Sequence, residues 1–164
     1  MHLEAMQWLT RYSSGQPLTV LDIGGRFING TPRGLFPFAD YTVLDVLLGD
    51  NVDIVADAAT WTPDRAYDVV LCAEVFEHAE QWPQICATAY KACAPGGYMV
   101  VTTAGPGRSL HSGVDGGPVL HPGEWYGNVE PEDLRRVLED CGWTNVLVDH
   151  SGFDVRAHAT RQET

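Results

Sequence analysis

Five short apolar segments follow one another along the first two thirds of the chain, and most of them end at an acidic residue. They span residues 18–22, 41–45, 52–56, 67–73 and 98–103. Continuous apolar runs of this length are typical of strands that are buried on both faces of a parallel sheet. The spacing therefore predicts an α/β fold in which helices cover both faces of a mostly parallel sheet.

The segments around these runs predict helices and one hairpin. Apolar residues recur at helical spacing in three segments, which are residues 2–12, 81–93 and 130–140. Residues 143–149 and 153–159 flank a His-Ser-Gly turn and predict an antiparallel hairpin. A chain of 164 residues has the length of one domain. We therefore expect a single domain over residues 1–164, in which residues 1–16 form an N-terminal helix and linker.

The composition bears on partners and compartment. The chain contains 10 Lys and Arg residues against 22 Asp and Glu residues, a formal net charge of −12. Nucleic-acid backbones attract Lys and Arg, so we expect no general nucleic-acid binding. Four cysteines lie among apolar neighbours without a Cys-x-x-Cys pair, which favours free buried thiols and a cytoplasmic location. No apolar run approaches the ~18 residues of a membrane span, so we expect no membrane association.

Residues 105–127 have a different character, because they contain seven glycines and three prolines without any periodicity. Loops longer than about 12–15 residues are usually functional or disordered, so this segment is predicted to lie on the substrate side of the site. The candidate general bases are His121 and Glu124 in this loop and His78 after the fourth apolar run. Each of the histidines could instead be a solvated or capping residue. Trp125 and Tyr126 could stack on a substrate or anchor the loop.

The acids at the ends of the apolar runs are the candidate ligand-binding residues. In an open parallel sheet, ligands bind beyond the carboxyl ends of the strands. Asp22, Asp45, Asp57 and Glu74 would meet there, although each alone could also cap a turn. Asp45 lies about 20 residues beyond the Gly24 turn, a spacing that suits an acid binding ribose hydroxyls. The turn matches neither the dinucleotide fingerprint nor a phosphate-binding loop, which argues against NAD and ATP.

These residues resemble a family. Val20-Leu21-Asp22-Ile23-Gly24-Gly25 is similar to the first motif of class I S-adenosylmethionine-dependent methyltransferases of the bacterial small-molecule type. Asp45 resembles their ribose-binding acid, and Asp57-Ala58 resembles their adenine-contacting position. The resemblance implies a Rossmann-like, doubly wound sheet of seven strands with the last strand antiparallel. It implies S-adenosylmethionine as cofactor and the following cofactor-binding residues: Asp22, Gly24, Gly25, Asp45, Asp57, Ala58 and Glu74.

The function implied by the resemblance is methyl transfer to a small-molecule acceptor, such as a hydroxyl of a sugar or a lipid-linked metabolite. Acceptor recognition is then expected from the 105–127 loop or from a partner chain, for example a second copy in a homodimer. The alternatives are a non-catalytic S-adenosylmethionine-binding subunit and an NAD-dependent oxidoreductase. Glu74, Glu77, His78 and His121 are also similar to the metal site of small-RNA 2′-O-methyltransferases. The acidic composition argues against RNA, and we expect no metal at these residues.

Overall fold

The strands of the protein form one mixed sheet. The computed structural model describes residues 2–163. Within this range the strands are Thr19–Ile23 (β1), Asp40–Asp45 (β2), Ile54–Val55 (β3), Tyr67–Ala73 (β4), Cys93–Ala104 (β5), Thr144–Ser151 (β6) and Asp154–Thr160 (β7). Their order in the sheet is β3-β2-β1-β4-β5-β7-β6. Strands β1 to β5 pair in parallel, and β7 is antiparallel to both of its neighbours. The predicted fold class and the hairpin are thus confirmed.

Helices cover both faces of this sheet. They are Leu3–Thr10 (α1), Trp82–Ala92 (α2) and Pro131–Asp140 (α3), with short 3-10 helices at Pro32–Leu35 and Phe76–His78. On one face, Leu134 and Leu138 of α3 and Ile85 of α2 pack into the larger core. On the other face, Trp8 and Leu9 of α1 pack over the sheet. Full burial of one such leucine stabilises the fold by roughly 1.5–3 kcal/mol.

Strand β5 begins earlier than the sequence predicts. We expect a helix over residues 81–93 and a strand only from residue 98, with the Pro-Gly-Gly segment between them acting as a break. Instead Cys93 already pairs with Tyr67, and a shift of register absorbs the extra residues. The amide of Gly96, at φ +81°, donates to the carbonyl of Arg161 at 2.9 Å. Pairing with a distant strand therefore outweighs the local turn signal. The predicted third strand is also shorter, because only Ile54 and Val55 pair.

The order of strands reverses beside β1, because β2 and β4 lie on its two sides. Crevices at such a switch point, at the carboxyl ends of the strands, are where ligands bind in open α/β sheets. No helix among the described residues is both long and apolar enough to cross a membrane. The four cysteines are free thiols, and only Cys141 is partly exposed.

Candidate active site

A cleft of about 670 Å³ opens at the carboxyl ends of β1 to β4. We call its two sides the strand-end half, formed by the residues at and just after the ends of these strands, and the loop half, formed by residues 105–127. The predicted site residues that line the cleft are Gly24, Asp45, Asp57, Ala58, Glu74, His78, His121 and Glu124. Asp22 and Gly25 belong to the strand-end half but lie outside the lining.

The turn after β1 comes unusually close to β4. Gly24 has φ +73°, and its amide donates to the carbonyl of Leu44 at 2.7 Å. A Cβ atom at Gly24 would overlap with the side chain of Val75. Only glycine meets both demands without strain, and its backbone is exposed to any ligand in the cleft.

Asp22 lies behind this turn. Its carboxyl group is buried, and the hydroxyl of Tyr41 donates to Oδ2 at 2.7 Å, while Oδ1 has no partner. A Cβ atom at Gly25 would lie 2.5 Å from the carboxyl carbon of Asp22, so Gly25 lets the chain close over the acid. Burial raises the pKa of Asp22 to about 7. The geometry gives Asp22 a supporting position under the turn.

Asp45 and Asp57 are oriented by backbone amides. Leu47 donates to Oδ1 of Asp45 at 2.9 Å, and the amide of Arg26 donates to Oδ2 at 3.2 Å. The amide of Ala59 donates to Oδ1 of Asp57 at 2.9 Å. These are the turn-capping contacts that the sequence left open as an alternative. Each carboxylate oxygen keeps a further lone pair, so the same groups can also accept hydrogen bonds from a ligand.

Glu74 adopts φ +60°, a conformation uncommon outside glycine. Its Oε2 lies 3.2 Å from Nε2 of His2, and its buried Oε1 has no partner. Burial alone would raise the pKa of Glu74, but hydrogen bonding and charge from His2 outweigh burial and lower it. The same hydrogen bond raises the pKa of His2. Glu74 thus presents an anionic group with one unsatisfied oxygen.

Glu77 and His78 lie deeper, at the 3-10 helix after β4. Glu77 is fully buried, and Thr103 donates its hydroxyl to Oε2 at 2.8 Å, while Oε1 has no partner. Burial, with the charge of Glu74, raises the pKa of Glu77 to about 8. Burial lowers the pKa of His78 to about 4, and nearby His111 adds to this effect. The imidazole of His78 is therefore neutral at physiological pH.

The loop half is shaped by Glu124. Its Oε1 accepts from the hydroxyl of Ser112 at 3.0 Å and from the amide of Val114 at 3.1 Å, and its Oε2 accepts from the amide of His121. The Nε2 atom of His121 lies 2.9 Å from Oδ2 of Asp115. This contact raises the pKa of His121. Of these two predicted bases, His121 has a second ring nitrogen available. Both carboxylate oxygens of Glu124, in contrast, already accept hydrogen bonds from the loop.

Three residues absent from the sequence prediction contribute to the site, and two of them, Arg26 and His111, join its two halves. Arg26 donates to the carbonyl oxygens of Gly113 at 3.2 Å and Val114 at 3.0 Å. His111 packs edge-on against His78, with ring centroids 4.9 Å apart. Asp115 pairs with His121, as described above. No local sequence signal points to them, because their contacts depend on the path of the long loop.

The structure also regroups the residues considered for metal binding. Glu77, His78 and His111 offer ligand atoms that all lie within 4.8 Å of one another. Glu74 instead contacts His2, and His121 contacts Asp115.

The mostly parallel sheet, its switch point and an acid-lined cleft at the strand ends define a doubly wound α/β domain. A family model described as a methyltransferase domain matches residues 1–148. The chain therefore belongs to this methyltransferase family, as the sequence resemblance predicts. No curated protein matches the sequence.

Solved structures share the fold at low sequence identity. One is described as a DhpI complex with SAH, at TM-score 0.71 and 22% identity over 98% of this chain and 84% of that chain. A second is the 1,6-didemethyltoxoflavin-N1-methyltransferase of Burkholderia thailandensis, at TM-score 0.73 and 15% identity over 97% and 79% of the two chains. A third is the N-methyltransferase NodS from Bradyrhizobium japonicum WM9, at TM-score 0.67 and 19% identity over 98% and 87%.

Proposed function

We propose that the protein is an S-adenosylmethionine-dependent methyltransferase that acts on a small-molecule acceptor. The observation that supports this most directly is the set of acids at consecutive strand ends. Asp45, Asp57 and Glu74 line one cleft in a chain of a methyltransferase family. The similar structures described above include complexes with S-adenosylhomocysteine.

The strand-end half fits the parts of this cofactor. Asp45 would accept hydrogen bonds from the ribose hydroxyls, and Asp57 would accept from the adenine amine. Val46 and Leu47 are exposed beside Asp45 and line the cleft, so they offer apolar contact to a flat base. The anionic carboxylate of Glu74, which lines the cleft, would attract the cationic amino group. Gly24 lines the cleft beside the same groups without a side chain to obstruct the ligand.

The loop half would supply proton removal from the acceptor. The cofactor contributes an electrophilic methyl group on a sulfonium, and the sulfur departs as a neutral thioether. Asp115 accepts from Nε2–H of His121, which leaves the lone pair on Nδ1 to take the proton of the acceptor. Glu124 holds the backbone of His121 in place. The low pKa of His78 makes it a weaker base than His121.

We further propose a hydroxyl acceptor, on a sugar or a lipid-linked metabolite, because a hydroxyl needs a base more than a neutral amine does. Phe27, Leu48 and Val119 are exposed close in sequence to lining residues. We propose that the acceptor or a second chain, such as another copy, covers them. The free thiols fit a reducing, cytoplasmic location.

Calorimetric titration with S-adenosylhomocysteine tests the cofactor, and methyl-labelled S-adenosylmethionine with a panel of hydroxyl and amine acceptors tests the reaction. We expect saturable binding and labelled product with a hydroxyl compound. Absence of binding contradicts the proposal. Binding without transfer to any acceptor supports the non-catalytic subunit instead. Label transferred only to amines contradicts the hydroxyl assignment but leaves the methyltransferase.

A further inference from the structure

We propose that Glu77, His78 and His111 form a binding site for a divalent transition-metal ion of the zinc type. One carboxylate oxygen and two imidazole nitrogens converge there, all within 4.8 Å of one another. Zinc–ligand distances of about 2.0–2.2 Å require ligand atoms about 3.3 Å apart, so the group must contract slightly around an ion. His111 can follow such a contraction, because it lies in the long loop.

Two buried atoms in this cluster lack partners. Glu77 is fully buried, and its Oε1 accepts no hydrogen bond. Nδ1 of His78 is likewise inaccessible and unpaired. Buried polar atoms are nearly always satisfied in folded proteins, so orphaned ones require an explanation such as an ion. A cation between Glu77 and the histidines would give Oε1 of Glu77 the partner that it lacks.

The surrounding contacts are those of an outer coordination shell. Nδ1 of His111 lies 3.2 Å from the carbonyl oxygen of Ser109. A carbonyl can only accept, so Nδ1 bears the proton and the lone pair is on Nε2. Thr103 donates its hydroxyl to the second oxygen of Glu77 at 2.8 Å. Metal-bound histidines and carboxylates commonly have such second partners, which fix the tautomer and the orientation of the ligand.

The ring packing keeps both histidines in place. Tyr126 lies with its ring centroid 5.6 Å from that of His78 and 5.1 Å from that of His111. A Cβ atom at Gly113 would lie 2.9 Å from Cγ of His78, so glycine lets the loop approach this ring. The loop half therefore closes onto His78, which brings His111 to the buried carboxylate.

Two imidazoles and one carboxylate select the kind of ion. Mg²⁺ and Ca²⁺ prefer oxygen ligands, whereas Zn²⁺ and its neighbours bind imidazole readily. Three protein ligands leave a coordination position open, as in catalytic zinc sites. His78 and His111 line the cleft, so this position would be accessible to a water molecule or an acceptor atom.

Zn²⁺ titration of the full-length protein tests the site, after removal of any affinity tag and treatment with a chelator. Calorimetry should show one equivalent of Zn²⁺ bound, and Co²⁺ should give visible absorption bands of a low-symmetry site. We expect His111→Ala and Glu77→Gln each to weaken binding at least ~100-fold. Thr103→Val, which keeps all three ligands, should weaken it by about 10–100-fold.

His121→Ala is the matched control, because it removes an exposed histidine of the same loop. It should bind Zn²⁺ as the wild type does. Absence of saturable uptake overturns the proposal, as does equal affinity in the wild type and His111→Ala. Glu77→Gln alters a fully buried group and could prevent folding. His111→Ala changes a half-buried residue, so this variant tests the site even if Glu77→Gln does not fold. The measurement needs neither cofactor nor acceptor, so its outcome is independent of the proposed methyl transfer.

Discussion

Two buried carboxyl groups of the strand-end half differ from two carboxyl groups of the loop half in how they are held. In the strand-end half, Asp22 and Glu77 are buried with one oxygen unpaired, and burial raises their pKa values to about 7 and about 8. In the loop half, the Gly117 amide and then His121 lower the pKa of Asp115. Burial opposes the same effect at Glu124, but hydrogen bonds from His121 and Ser112 outweigh it and lower the pKa of Glu124.

This difference suggests two roles for acidic residues: some contribute to the binding of a ligand, and others stabilise the loop that forms one side of the cleft. The buried acids of the strand-end half are held by the β-strands, whose stability offsets the free-energy cost of burying a carboxyl group with one unpaired oxygen. In the loop half, Asp115 and Glu124 instead accept hydrogen bonds from backbone amides in a segment that lacks regular secondary structure. Ligand affinity should depend mainly on the strand-end acids that line the cleft, such as Asp45, and local order on the acids of the loop half.

Asp22→Asn should produce the largest effect, in the pH dependence of stability. The folded state keeps a proton on Asp22 up to about pH 7, whereas the unfolded state releases it near its ordinary pKa of 3.8. Stability contributed by this group is full below pH 3.8 and is lost as pH rises towards 7. At about 1.4 kcal/mol per pKa unit, the loss reaches at most about 4 kcal/mol. Asparagine has no proton to lose, so the variant should lack this decline.

Guanidinium unfolding across about pH 4 to 8 measures this slope. Asp50→Asn, at an exposed position, is the control and should retain the wild-type slope. Glu77 contributes a decline of the same sign between its ordinary pKa of 4.5 and about 8, so the Asp22→Asn curve should still fall over this range, but less steeply than the wild type up to pH 7. An unchanged slope in Asp22→Asn would show that its burial does not perturb its ionisation.

Asp45→Ala should weaken S-adenosylhomocysteine binding by about 1.5–3 kcal/mol, roughly 10- to 150-fold, because charge-assisted hydrogen bonds to the ligand are lost. Calorimetry measures this change, with Asp50→Ala as the control in the same loop. Alanine also removes the acceptor for the amides of Arg26 and Leu47. Asp45→Asn keeps an acceptor oxygen for one of these amides and separates the two effects. Wild-type affinity in both variants would exclude Asp45 from the cofactor site.

The strands could be predicted because burial on both faces leaves a continuous apolar run in the sequence. The position of an acid relative to the cleft could not, because it depends on the residue at which the strand ends and on the path of the turn that follows. Asp22 shares its buried environment with Tyr41, while the following Gly24 reaches the cleft. A difference of two positions along the chain thus separates Asp22, which supports the turn, from Gly24, which lines the cleft.

The loop half was the least predictable part of the site. The contact between Arg26 and Gly113 joins residues 87 positions apart, and glycine-rich sequence has no period from which such a path follows. His111 and Asp115 therefore gave no signal beyond their residue type. The early start of β5 at Cys93 has the same cause, because a distant partner strand determines it.

Glu124→Ala should give the smallest change in binding but a clear change in loop order. Three donors lose their acceptor, namely the amides of Val114 and His121 and the hydroxyl of Ser112. Loss of about one net hydrogen bond should speed amide exchange in residues 112–121 roughly tenfold. Cofactor affinity should stay within about twofold, since strand-end contacts dominate it. Hydrogen exchange and calorimetry on the same sample measure both quantities, with the exposed Glu139→Ala as control. A large loss of cofactor affinity in Glu124→Ala would mean that the two halves are coupled, and the division of roles between them would then be wrong.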